Sequence, residues 1–79
     1  MYILECCDGT FYTGIAKDLQ RRVKMHNQGK GARYTRSRRP VSLVYYENVK
    51  GRAEALVREH AVKSMSRLEK QKLSSQFPA

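Results

Sequence analysis

The sequence is poor in acid. Of its 79 residues only 7 are Asp or Glu, against 16 Lys and Arg, for a formal net charge of +9. Between Asp18 and Glu47 there is no acidic residue, while the same stretch holds Arg21, Arg22, Lys24, Lys30, Arg33, Arg36, Arg38 and Arg39. Positive charge segregated in this way on a small chain is an electrostatic footprint for a polyanion. Long apolar runs are missing too. Nothing approaches the roughly 18 residues that a membrane helix needs, and no basic helix carries a large aromatic-rich apolar face. Nucleic acid rather than membrane is therefore the expected partner. The chain has no leader-like opening, since Tyr2 onward reads directly as a strand, and the expected location is the cytoplasm. Cysteine is scarce, with 2 residues adjacent at Cys6 and Cys7. Neighbours do not easily bridge each other and two thiols alone do not make a zinc site, so one buried and one exposed thiol are expected.

A chain of 79 residues implies one domain with a small core, burying about 60–65% of the surface its unfolded form exposes. A hydrophobic content of 41% is enough to fold. Tyr2-Ile3-Leu4-Glu5-Cys6 and Thr10-Phe11-Tyr12-Thr13-Gly14-Ile15 read as two strands around an Asp8-Gly9 turn. Asp18 caps a helix from Leu19 to Asn27, stopped by Gly29 and Gly31. Residues 28–40 read as a basic loop closed by Pro40, and Val41 to Glu47 as a third strand. A helix over 52–63 is expected to turn Ala53, Leu56, Val57, His60 and Ala61 inward. Ser66-Arg67-Leu68-Glu69 fits a capping box opening a last helix that ends near Ser74, and Gln76 to Ala79 are expected to fray. The order is β-β-α-β-α-α: an α+β chain with a small, mostly antiparallel sheet.

Within this frame, Tyr12-Thr13-Gly14 ends the second strand, and Arg22 and His26 follow on the first helix. Residues four apart share a helix face. At 100° per residue both fall on the inward side with Leu19 and Val23, while Gln20, Arg21 and Lys24 point out. An inward arginine costs desolvation unless it is paired or used. It serves either a core-edge ion pair or the handling of phosphate. Tyr2 and Tyr12 lie on the paired strands, either as sheet aromatics or as phenols whose usual pKa near 10 is lowered by Arg22 and a metal. Glu59 reads as a surface partner of Lys63 or as a carboxylate for a divalent ion, which phosphodiester hydrolysis usually needs. Asp8, Asp18 and Glu69 have turn and cap roles, leaving Glu5, Glu47, Glu54 and Glu59 as candidates. In the loop, Lys30, Arg33, Arg36, Arg38 and Arg39 would contact phosphates, with Tyr34 placed to stack on an exposed base.

Taken together, these residues resemble the GIY-YIG nuclease superfamily, and most of all its small single-domain bacterial group known as UPF0213. Tyr2-Ile3-Leu4 looks like the first motif and Tyr12-Thr13-Gly14 like the second. The segment from Asp18 to Asn27 is similar to the family's first helix, with Arg22 at the essential arginine. Glu54-Ala55-Leu56-Val57-Arg58-Glu59 resembles the helix that supplies the metal-binding glutamate, with Glu59 in that place. Gly29-Lys30-Gly31-Ala32-Arg33-Tyr34-Thr35 is similar to a stretch typical of the small group. The likeness runs from Tyr2 to about Leu73, within a single domain over 1–79.

The resemblance implies a three-stranded antiparallel sheet flanked by helices. It implies a metal-dependent endonuclease hydrolysing DNA, or RNA, at a single Mg2+ or Mn2+ ion. Tyr2 or Tyr12 would position or deprotonate water, Arg22 would stabilise the phosphorane charge, His26 would orient a tyrosine or the phosphate, and Glu59 would hold the metal. Selectivity would be for structure rather than sequence, or borrowed from a protein partner, in repair or recombination. The alternative is a non-catalytic nucleic-acid-binding module that keeps the fold.

Overall fold

The computed structural model describes residues 1–76, which form three strands and four helices: β1 (Tyr2–Glu5), β2 (Phe11–Gly14), α1 (Leu19–Asn27), α2 (Arg33–Arg36), β3 (Ser42–Tyr46), α3 (Arg52–Lys63) and α4 (Arg67–Ser75). The sheet runs β2-β1-β3 with both pairings antiparallel. Its register sets Tyr2 opposite Gly14 on one side and Tyr46 on the other. The fold class and strand arrangement expected from the sequence are those observed. The expected fraying of the tail falls on residues 77–79, outside the described residues, whereas Gln76 closes α4 by donating its amide to Leu73 and Ser74 carbonyls.

Because β1 is central, its alternation builds a core on each face of the sheet. Tyr2, Leu4 and Cys6 point to one side, where Tyr12, Leu19, Val23 and Leu43 pack with Val41. Met1 and Ile3 point to the other, against Phe11, Ile15, Val44, Val62, Met65 and Leu73. The turn between β1 and β2 is tied by Asp8, whose Oδ1 accepts from the Thr10 amide (3.1 Å) and hydroxyl (2.6 Å). Cys6 is buried and Cys7 exposed, as expected.

Helix α1 begins where the Asp18 carboxylate accepts the Arg21 amide at 3.1 Å. It ends in two reverse bonds, from the Gly29 amide to His26 O (3.1 Å) and from the Lys30 amide to Met25 O (2.9 Å), which satisfy carbonyls that would otherwise be orphaned. Asn27 then clasps the start of the third-strand segment: its Nδ2 donates to Val41 O at 3.0 Å and its Oδ1 accepts the Val41 amide at 2.7 Å. The loop read over 28–40 is not wholly irregular. Arg33–Arg36 forms one helical turn, α2, whose Thr35 is buried. Four residues with three polar side chains give no apolar period, so pattern alone does not reveal the turn.

The inward face of α3 differs from the expected one. Ala55 and Val62 are buried and Arg58 and Glu59 half-buried, while Ala53, Leu56, Val57, His60 and Ala61 are exposed, Val57 to 72%. The helix is rotated to bring a charged pair inward because the sheet offers a partner. The Glu47 carboxylate accepts from Arg58 Nε at 2.8 Å, from Arg58 Nη2 at 2.9 Å and from the Tyr45 hydroxyl at 2.6 Å. Bidentate geometry and a third donor make this pair stronger than an ordinary surface ion pair. It holds Glu47 below the usual carboxylate range, chiefly through the Arg58 hydrogen bonds. Helix α4 opens with the expected capping box of Ser66 and Glu69.

Because Arg58 anchors α3 to β3, Arg58→Ala should lower unfolding stability by about 1–2 kcal/mol, the scale of hydrogen bonds to a partly exposed charged group. The loss should shrink at high salt, and urea titrations at low and high ionic strength measure both.

Candidate active site

Strand geometry puts Tyr2 and Tyr12 on the same face, and α1 lays His26 across them. Tyr2 is 2% exposed and His26 1% exposed, and the Tyr2 hydroxyl lies 3.0 Å from His26 Nε2. The imidazole meets the Tyr2 ring edge-on at 6.0 Å between centroids and the Tyr12 ring at 5.3 Å. Tyr2 and Tyr12 are themselves 6.5 Å apart.

Two glycines make this packing possible. A Cβ on Gly14 would sit 2.6 Å from the Tyr2 hydroxyl, and one on Gly31 would clash with the Nδ1 edge of the His26 ring. On the far side of the imidazole, Nδ1 lies 2.7 Å from Thr35 Oγ1. Sequence reasoning gave Thr35 no role. Its sole signal was its place in a glycine-bearing stretch shortly after His26.

Arg22 is half-buried on the same face of α1, as its period predicts, and its charge bears on both Tyr2 and His26. Glu59 comes from α3 with its side chain 20% exposed, and its contact with Lys63 is loose at 3.7 Å. Its charge also reaches Tyr2. Hence Tyr2, Tyr12, Arg22 and His26 share one locale, with Glu59 near enough to act on it.

The protein's own groups push Tyr2 up to about 12: burial dominates, the Tyr12 phenol and the Glu59 charge add to it, and Arg22 only partly offsets them. Tyr2 is therefore a hydrogen-bond donor at neutral pH. Burial, and then Arg22, push His26 below its usual value, so the imidazole is neutral there.

The basic segment divides in two. Arg38 donates through Nε to Asp8 Oδ2 at 3.0 Å and through Nη1 to Tyr34 O at 2.9 Å, with its guanidinium 4.0 Å from the Tyr34 ring centroid. Arg39 donates to Arg36 O at 2.9 Å and to Asn27 O at 3.4 Å. Tyr34 also stacks on Tyr12 at 6.1 Å and 26°, yet stays 38% exposed. Lys30, Arg33 and Arg36 are exposed, and among the described residues their side chains carry no ion pair or hydrogen bond.

Among the described residues no group of three or more His, Cys, Asp or Glu is placed to enclose a metal ion. A lone half-buried carboxylate nevertheless fits a hard cation such as Mg2+, which keeps several waters and is commonly held by one or two carboxylates plus substrate phosphate. It does not fit a structural zinc site. No helix among the described residues is long and apolar enough to cross a membrane.

A sheet-borne pair of tyrosines, an arginine and histidine one helical turn apart, and a separate glutamate thus come from four elements of one α+β fold. The GIY-YIG catalytic domain profile matches residues 1–73. A UPF0213 protein of Staphylococcus saprophyticus is 51% identical over 76 residues, covering 96% of this chain and 93% of that one. A UPF0213 protein of Halobacterium salinarum is 49% identical over 73 residues, covering 92% and 95%. The solution NMR structure of a UPF0213 protein from Bacillus halodurans superposes with a TM-score of 0.60 at 47% identity, over 96% of this chain and 81% of that one. The chain belongs to the GIY-YIG family, a nuclease superfamily whose members generally act on nucleic acid with a divalent metal.

The buried neutral His26 has a consequence for stability. Its folded-state pKa lies below the ordinary 6.5, so beneath that pH the unfolded chain binds more protons. Stability should therefore fall as pH drops below about 6.5, by at most about 1.4 kcal/mol per unit for one group. Denaturation midpoints from pH 7 down to 5 should show this slope, and His26→Gln should flatten it.

Proposed function

We propose that this protein is a metal-dependent endonuclease that hydrolyses DNA phosphodiester bonds with little sequence preference or with preference for DNA structure. The observation that supports it best is the convergence of Tyr2, Tyr12, Arg22 and His26, with the charge of Glu59 felt at Tyr2.

Of the two phenols, Tyr12 is half-buried and reachable while Tyr2 is closed off, so Tyr12 orients the attacking water and Tyr2 ties the site to His26. Arg22 directs its N–H donors at the non-bridging oxygens, where negative charge grows as the phosphorus becomes five-coordinate. His26, being neutral, holds Tyr2 by a hydrogen bond rather than adding a cation. Glu59 holds the Mg2+ or Mn2+ ion. When bound, that ion neutralises charge on the phosphate and lowers the pKa of water. Lys30, Arg33 and Arg36 contact flanking phosphates, while Arg38, Arg39 and Tyr34 shape the loop that presents them. Contacts of this kind position a strand without reading its bases. They suit work on DNA, or RNA, in repair or recombination within the cytoplasm, with specificity supplied by DNA shape or a protein partner.

A second reading, a binding module without useful catalysis, draws on the elevated Tyr2 and the single carboxylate. Supercoiled plasmid and labelled branched, single-stranded and duplex DNAs, incubated with magnesium or manganese, separate the two. Glu59→Gln should abolish cleavage and Arg22→Ala should reduce it by about 10²–10³-fold, each leaving binding largely intact. Cleavage by Glu59→Gln at the parent rate would refute the metal assignment.

The division of the basic segment is tested by binding titrations against salt. Arg33→Ala and Arg36→Ala should each weaken DNA binding and reduce the log–log salt slope by about 1. Arg38→Ala should instead lower the melting temperature, because it releases Asp8 and Tyr34 together.

A further inference from the structure

We infer that Thr35 is a positioning residue that locks His26 in the Nδ1–H tautomer, leaving Nε2 as the acceptor of the Tyr2 hydroxyl proton. The argument is one of proton counting around a ring with both nitrogens engaged. Thr35 Oγ1 lies 3.0 Å from Ala32 O and 2.7 Å from His26 Nδ1. The hydroxyl has one proton. A carbonyl can only accept, so donation from Thr35 to Ala32 O requires Nδ1 to carry the hydrogen that Thr35 accepts. Nε2 then has a lone pair and no proton, and Tyr2 donates to it across 3.0 Å. Each of the three short contacts has one donor and one acceptor.

The opposite tautomer would let Nδ1 accept from Thr35 and from the Ala32 amide, which lies 3.4 Å away. It would, however, take the Thr35 proton from Ala32 O, exchanging a 3.0 Å bond for one at the limit of hydrogen bonding.

The surroundings make the lock rigid. Thr35 is 0% exposed and sits on α2, so its hydroxyl is fixed by the turn and shielded from water. Gly31 allows the backbone to lie against Nδ1, where any Cβ would displace the ring. The charged and titratable groups facing His26 are Tyr2 from β1, Tyr12 from β2 and Arg22 from its own helix. Among these Arg22 disfavours a doubly protonated ring. The lock therefore selects between two neutral forms. For the proposed nuclease, on which only this consequence rests, the selected form orients the Tyr2 phenol and through it the floor beneath Tyr12.

The test has a spectroscopic arm that needs no activity. Long-range 1H–15N correlation spectra of the wild-type protein at neutral pH should show His26 Nδ1 protonated and Nε2 bare, and an Nε2–H spectrum would overturn the inference. Thr35→Ser should keep the wild-type spectrum, whereas Thr35→Val should move it toward Nε2–H or a mixture. An unchanged spectrum in Thr35→Val, or a Thr35→Ser spectrum that shifts, would also overturn it. On cleaved DNA, Thr35→Val should lower kcat by about 10–100-fold with KM little changed, the usual scale for losing a group that orients a functional histidine, and Thr35→Ser should restore it. Equal rates for Thr35→Val and wild type would remove the catalytic consequence. If no DNA is cleaved by any form, the nuclease reading fails while the spectra still decide the tautomer.

Discussion

A neutral imidazole, sealed from water and bonded at both nitrogens, is the constraint on which the rest of this structure depends. A buried polar ring without partners costs several kcal/mol, so His26 can occupy the interior only if β1 and α2 each deliver a hydroxyl to it. Tyr2 and Thr35 do so from opposite directions. The register that sets Tyr2 against Gly14, the two-bond ending of α1 and the helical turn at 33–36 all serve that placement. The interior on this side of the sheet is thus assembled from the same groups that the proposed nuclease would use.

The same economy governs the positive charge. A stretch with eight cations and no carboxylate between Asp18 and Glu47 would repel itself if every cation stood free. Two of them are tied back to the protein surface: Arg38 crosses to Asp8 on the β1–β2 turn, and Arg39 reaches two backbone carbonyls. Their long side chains act as struts and leave Lys30, Arg33 and Arg36 extended toward solvent. Arginine suits the strut role because its planar fork satisfies several acceptors at once.

Much of this was legible in the sequence. Strand alternation, the Asp18 cap, the capping box at Ser66 and the inward period of Arg22 and His26 depend on neighbours along the chain, and each appears where expected. The inward face of α3 was not legible. Leu56, Val57 and Ala61 give the stronger apolar period, but Arg58 meets Glu47, eleven residues earlier in the chain, which directly follows β3 and is also held by Tyr45. A long-range ion pair overrides a local period without leaving a local trace. The roles of Thr35 and Gly31 were hidden for the same reason: the fold, not their sequence context, gives them the imidazole as neighbour. The direction of the Tyr2 shift follows from burial depth, which a strand pattern cannot supply.

That shift constrains how the proposed reaction can run. A phenol held near 12 by burial surrenders its proton too rarely at neutral pH to serve as the working base. The bare Nε2 of His26 does not change this, because a neutral histidine in the same water-excluded space resists becoming a cation, and Arg22 opposes it further. In the proposed reaction Tyr2 and His26 act as a donor–acceptor pair that holds position. In the proposed nuclease, removal of a proton from water would fall to the more accessible side of the site, where Tyr12 is half-buried rather than sealed and where Glu59 would hold the ion that lowers the pKa of the water. In such a site the buried pair contributes preorganisation, keeping Tyr12 and Arg22 in place so that little rearrangement is needed when charge develops on the phosphate.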